Sequence, residues 1–208
     1  MTTQLAEAQR PPQQDRSQRK LARLLASGRE LFAERGFAAT RVQDIAAGAG
    51  CSVGVFYQRF ADKDACFAAV AQQFLDEVER AATAINERAG ALDARELLRE
   101  HVEHGVALFR GHRGLLRAFL RYEATNPGFD VPLARLLDRL TTDLVDALRA
   151  TGARIAHPDP DAAVALGAQV VRGALVHEAF QDAGALPLDD EHLVDELTDL
   201  FASYLRIS

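Results

Sequence analysis

Two helix-boundary signals lying close together constrain this 208-residue chain more than any other feature. Gly50 can adopt the left-handed conformation that ends a helix within one residue, and Ser52 is an N-cap candidate just beyond it. Asp62 can cap a further helix, with Asp64 favourable in its first turn. Between them lies "CSVGVFYQRF", whose Val53 and Val55 flank Gly54 and which alone would read as a strand. The bracket leaves room for only about two helical turns, and the segment is therefore read as a short helix whose valines serve packing. Immediately upstream, Thr40 and Gln43 have the spacing of a capping box and open a second short helix, residues 42–49. Its Ala46, Ala47 and Ala49 are small enough to let another helix approach. Two short helices joined by a tight glycine turn make a helix-turn-helix, with Val55 and Phe56 as anchors on the first helix.

The rest of the chain reads as helix. Residues 15–35 carry Leu21, Leu24, Leu25, Gly28, Leu31 and Phe32 on one face, with Gly36 as the stop. Arg16, Arg19, Lys20 and Arg23 form a basic stripe opposite. Downstream periodicity predicts helices from residue 62 to about 89, then over 93–110, 114–125, 132–150, 161–182 and 189–206. No strand pattern survives, and the fold class is all-α. The expected organisation is a flexible arm (1–14), a three-helix head (15–61) and a larger helical body (62–208).

Composition excludes several classes. No apolar run is long enough to span a membrane, and residues 1–14 hold no secretory signal, so the cytoplasm is the expected compartment. Cys51 and Cys66 suggest neither a disulfide framework nor zinc, and Cys51 reads as a small hydrophobe. No Ser-His-Asp, Cys-His or phosphate-loop arrangement points to an enzyme, and no cofactor is implied. His101 and His104 have ligand-like spacing without a third ligand, so no metal is expected. The net charge of −6 hides an asymmetry. Residues 1–63 hold ten Lys/Arg against six Asp/Glu, a net of +4, while the remainder holds fourteen against twenty-four, a net of −10. A basic head on an acidic body is compatible with nucleic acid.

Over residues 18–67 the run "LLASGRELFAERGFAATRVQDIAAGAGCSVGVFYQRFADKDACF" resembles the DNA-binding domain of the TetR family of bacterial transcriptional repressors. The correspondence lies in LF-x-E-x-G-F-x-x-T, D-I-A-x-x-A-G and S-x-G-x-F-Y-x-x-F-x-x-K, in that order and spacing. Cys51 departs from the family, where valine is usual. The resemblance implies that the helix after Ser52 enters the major groove of a double-stranded operator. Gly54 would then admit the backbone close to DNA, and Ser52 and Tyr57 would donate to phosphates. Val53 would lie against a thymine methyl or a phosphate. Gln58 can pair with adenine and Arg59 with guanine, or either can bind phosphate. Thr40, Arg41, Lys63, Arg16 and Lys20 complete the implied DNA contacts.

Because each such helix reads only a few base pairs, a homodimer is expected. Its interface is expected on the last two helices, at Gly167, Val170, Val171, Ala174, Leu197, Phe201 and Tyr204. The middle helices are expected to hold a lipophilic small-molecule effector, with His104, Phe109, Phe119, Tyr122, Glu123, Asn126, Arg172 and His177 as candidate lining. The alternative is a helical ligand-binding module with no DNA role.

Overall fold

The computed structural model describes residues 12–126, 133–180 and 187–207. They form eight α-helices: α1 (Pro12–Ala39), α2 (Val42–Gly48), α3 (Val53–Tyr57), α4 (Lys63–Asn86), α5 (Ala94–Thr125), α6 (Leu133–Ala150), α7 (Pro160–Phe180) and α8 (Leu193–Leu205), with a 3-10 turn at Ala89–Ala91 before α5. Among the described residues there is no strand. The chain divides into two compact units between Val70 and Ala71, inside α4 rather than ahead of it, because Cys66, Phe67 and Val70 belong to the core of the head. The expected arm lies largely outside the described residues; α1 begins at Pro12, a position that tolerates proline because its missing N–H has no intrahelical partner.

In the head, α1 carries Leu24 and Phe32 against Ile45, Phe56 and Phe67, all fully buried. Phe67 meets Phe32 and Phe37 edge-on, with centroids 4.8 and 5.0 Å away. Helices α1 and α2 cross where Ser27 faces Gly48. The Ser27 hydroxyl donates to the Ile45 carbonyl at 3.0 Å, and a Cβ on Gly48 would collide with it. A side chain at 48 would thus displace the Ser27 hydroxyl from the Ile45 carbonyl, and the alanines considered from sequence, Ala46 and Ala49, are buried beside the crossing. Gly36 (φ 74°) breaks the geometry of α1 near its end, and Gly50 (φ 63°) provides the turn into α3.

In the body, Asp93 and Glu96 form a reciprocal capping box at the start of α5, with bonds of 2.8 and 2.9 Å. α5 absorbs two expected helices into one, and the expected break becomes a local distortion at His112 (φ −126°, ψ 21°). A row of α5 arginines closes the chain's later elements. Arg113 and Arg117 donate to the Glu178 and Ala179 carbonyls at the end of α7, and Arg110 donates to the Leu188 carbonyl and pairs with Asp189. The pairs Arg95–Asp199 and Arg99–Asp195 tie α5 to α8 at the surface, where they set register more than stability.

On α7, a Cβ at Gly167 would penetrate the Phe201 ring of α8, whereas one at Gly173 would meet nothing within 4 Å. Gly167→Ala is expected to destabilise the protein by about 1–3 kcal/mol through overpacking. Gly173→Ala on the same helix is expected to be neutral or stabilising by up to about 1 kcal/mol. Urea unfolding of the two variants side by side checks both signs.

Candidate nucleic-acid interface and apolar cavity

The surface around α3 is assembled by two chain reversals. Gly50 turns the chain, Ser52 sits extended at the N-cap (φ −79°, ψ 158°), and Phe56, fully buried, pins the helix to the head. Phe60 is buried beyond it. What remains outside is polar or small. Ser52, Gly54, Gln58 and Arg59 are exposed, Val53 is half-buried, and Tyr57 is 55% exposed although its neighbour is in the core. The Ser52 hydroxyl makes no cap bond to its own helix. The nearest atom to a Cβ on Gly54 would be Ser52 Oγ at 3.8 Å, so internal packing does not demand glycine there. The Arg59 guanidinium donates to Ser17 Oγ of α1, which brings it beside the basic stripe, where Arg16 and Lys20 are exposed. Arg41 is exposed at the N-cap of α2.

Two residues expected at the DNA surface serve the head instead. Thr40 is buried; its hydroxyl lies 2.7 Å from the Gly36 carbonyl and 3.1 Å from that of Leu31 and donates back into the end of α1. The capping box read at Thr40–Gln43 is not formed, because Arg41 is the N-cap and no side chain bonds there. Lys63 donates from Nζ to the Phe37 carbonyl at 2.7 Å and the Thr40 carbonyl at 3.0 Å, with its ammonium 4.0 Å from the centroid of the Phe37 ring. Partial burial draws its pKa below the usual lysine value, and Asp64 opposes the shift. Cys66 is buried against Gly28, its Sγ 3.4 Å from where a Cβ there would sit, and burial pushes its thiol up to about 12; it is chemically quiet.

The body encloses a cavity of about 450 Å³, within the roughly 300–1,000 Å³ of small-molecule sites. Its wall is overwhelmingly apolar, drawn from α4, α5, α6, α7 and Phe201 of α8. Of the expected lining, His104, Phe109, Phe119, Glu123 and Arg172 face it. Tyr122, Asn126 and His177 do not: Tyr122 is buried elsewhere, Asn126 caps α5 by donating to the Tyr122 carbonyl at 3.0 Å, and His177 is exposed. Sequence reading missed His101 and Thr141 as lining. His101 Nε2 is 2.8 Å from Asn86 Oδ1, and burial together with the nearby His104 lowers its pKa from 6.5 to about 4. Burial lowers His104 as well.

The residues expected at a subunit interface divide. Gly167, Val171, Leu197 and Phe201 are buried within their own chain and Ala174 packs against the same core, so they build the body rather than its surface. Val170 and Tyr204 are exposed, at 44% and 36%, and the structure adds Leu166 and Leu200, at 46% and 48%.

A short helix presented by a Gly turn in a three-helix head, followed by a helical body with an apolar cavity, defines the class of helix-turn-helix transcriptional regulators. Residues 24–70 match the family described as "Bacterial regulatory proteins, tetR family", and residues 93–205 match "Tetracyclin repressor-like, C-terminal domain". The chain belongs to the TetR family. Among curated relatives, it is 29% identical over 97 residues to the HTH-type transcriptional regulator YerO of Bacillus subtilis (47% of this chain, 34% of that protein). It is 35% identical over 74 residues to the HTH-type transcriptional repressor DhaR of Mycobacterium sp. strain GP1 (36% and 37%). The matched segments thus span about a third of those proteins. The fold is shared with a TetR-family regulator from Mesorhizobium loti (TM-score 0.70, 19% identity, 90% of this chain and 97% of that one). It is also shared with the fatty acid degradation regulator FadR from Bacillus halodurans (TM-score 0.70, 18% identity, 96% and 100%). No helix among the described residues is long and apolar enough to cross a membrane.

The cavity histidines make the body acid-sensitive. Between about pH 4 and 6.5 the unfolded chain holds a proton that folded His101 refuses. Its contribution is therefore fully present above pH 6.5 and is lost as pH falls through that window, by at most about 3 kcal/mol. His101→Gln should flatten that part of the stability curve, as denaturant titrations at successive pH values will read.

Proposed function

We propose that this protein is a repressor that binds a palindromic operator as a homodimer through α3 and is released by a small lipophilic effector held in the body cavity. The observation that carries the DNA reading is the exposure of Ser52, Gly54, Tyr57, Gln58 and Arg59 along α3 and its two ends, anchored by Phe56. A large aromatic left in solvent on a rigid element, beside a glycine that packing does not require, fits a surface shaped for a partner's backbone. Arg16, Lys20 and Arg41 place cations around it, and each phosphate neutralised adds about −0.9 to the slope of log K against log salt. Repression rather than activation is carried over from the relative DhaR, a transcriptional repressor.

The dimer reading rests on Leu166 and Val170 of α7 and Leu200 and Tyr204 of α8, large apolar side chains exposed at i, i+4 spacing on two helices that pack together. The effector reading rests on the cavity. α4 carries Cys66, Phe67 and Val70 in the head core and Ala71, Phe74, Leu75, Val78 and Ala82 in the cavity wall, so a ligand that displaces α4 acts on an element of both units. The effector must bind the DNA-incompetent arrangement better, and a coupling of about 1–3 kcal/mol would change operator affinity roughly 5- to 150-fold.

Operator fragments selected from a random duplex pool provide the test. Gly54→Val should fold normally and lose binding altogether, and Tyr57→Phe should bind several-fold more weakly with an unchanged melting temperature. Normal binding by Gly54→Val would remove α3 from the groove and favour a ligand-binding module with no DNA role. Leu166→Asp with Leu200→Asp should convert the dimer to monomer in sedimentation, and an unchanged mass would place the interface elsewhere.

A further inference from the structure

The polar groups on the cavity wall are unequally satisfied, and the imbalance identifies the effector's chemistry; this rests on the cavity being the effector site proposed above. His101 is bonded to Asn86. Thr141 donates to the Leu137 carbonyl of its own helix at 2.8 Å. Glu123 is exposed near the end of α5, where water can solvate it. That leaves two groups from α5 and α7. The Nε2 of His104 is buried with no hydrogen-bond partner among the described residues. Arg172 is half-buried and, among the described residues, makes no hydrogen bond or ion pair. It is the one cation among the described lining residues, on a wall that is otherwise almost wholly apolar.

A guanidinium withdrawn from water without an anion is an unfavourable arrangement. Its fork of donors matches a carboxylate in two-point geometry, and His104 can supply a further N–H from the facing helix. Burial holds the His104 pKa below 6.5, so near pH 7 it adds a donor without adding charge. We propose that the effector is an amphipathic carboxylate, a hydrocarbon body filling the apolar wall and a single carboxylate bound by Arg172 and His104. Glu123 would repel such a head group and favours the orientation that keeps the carboxylate away from it.

The probes are decanoate and 1-decanol, which share a chain and differ in charge, titrated below their aggregation limits onto the full-length protein by calorimetry at pH 7. Decanoate should bind roughly tenfold or more tightly than decanol. Arg172→Gln should abolish the difference, weakening decanoate while decanol binds at least as tightly as before, and Arg172→Lys should retain part of it. Equal affinities in the wild-type protein, or a preference surviving in Arg172→Gln, would overturn the carboxylate assignment. Failure of both compounds to bind would overturn it together with the cavity reading. Operator release is scored separately by anisotropy: a decanoate complex that keeps its DNA supports the assignment and contradicts the regulatory reading alone.

Discussion

Much of the head depends on how the carbonyls at the end of α1 are satisfied. Gly36 leaves helical geometry, and around it the carbonyls of Leu31, Gly36, Phe37 and Thr40 accept hydrogen bonds from side chains. Thr40 answers from within the turn, and Lys63 answers from the start of α4 with two charge-assisted bonds and its ammonium over the Phe37 ring. The connection between α1 and α2 is thereby fixed from both sides. The direction of α2, and through Gly50 that of α3, follows from it. A surface that must meet a rigid duplex needs this, since a small angular error at the turn displaces every contact beyond it.

The same arrangement explains where sequence reading succeeded and where it did not. The existence of the helices was legible because apolar periodicity reflects burial directly, and the two glycine stops were legible because few residues tolerate their backbone angles. The role of Thr40 was not. A threonine three residues before a glutamine satisfies the capping pattern, but α2 starts one residue later, with Arg41 at its N-cap, and the Thr40 hydroxyl turns back to donate to the Gly36 carbonyl. Lys63 poses the same difficulty: a lysine flanking a recognition helix reads as a phosphate ligand unless the orphan carbonyls it faces are known. Family motifs mix scaffold with contact, and burial separates them.

In the body, residue type misled more than helical phase did. On α7 the cavity takes Ala168, Val171, Arg172, Leu175 and Val176, one continuous stripe. His177 lies just off that stripe and was a candidate only because it is polar. Gly167 shows the opposite error, since a small residue on a helix suggested approach by a second subunit when it was making room for the chain's own Phe201. The exposed surface of α7 and α8 is carried by larger side chains, Leu166, Val170, Leu200 and Tyr204, which periodicity alone could not assign to the outside of an all-round apolar helix.

An apolar cavity whose one guanidinium has no partner among the described residues discriminates by two independent tests. A neutral hydrocarbon fills the wall and gains the hydrophobic term, but leaves Arg172 partly desolvated without compensation. A small polar anion satisfies Arg172 and leaves most of the cavity empty, forfeiting the contacts that close packing supplies. Only a molecule bearing both features avoids each loss, so selectivity arises from what the site penalises as much as from what it binds. His104 adds a donor but no charge near pH 7, so the discrimination by charge rests on Arg172.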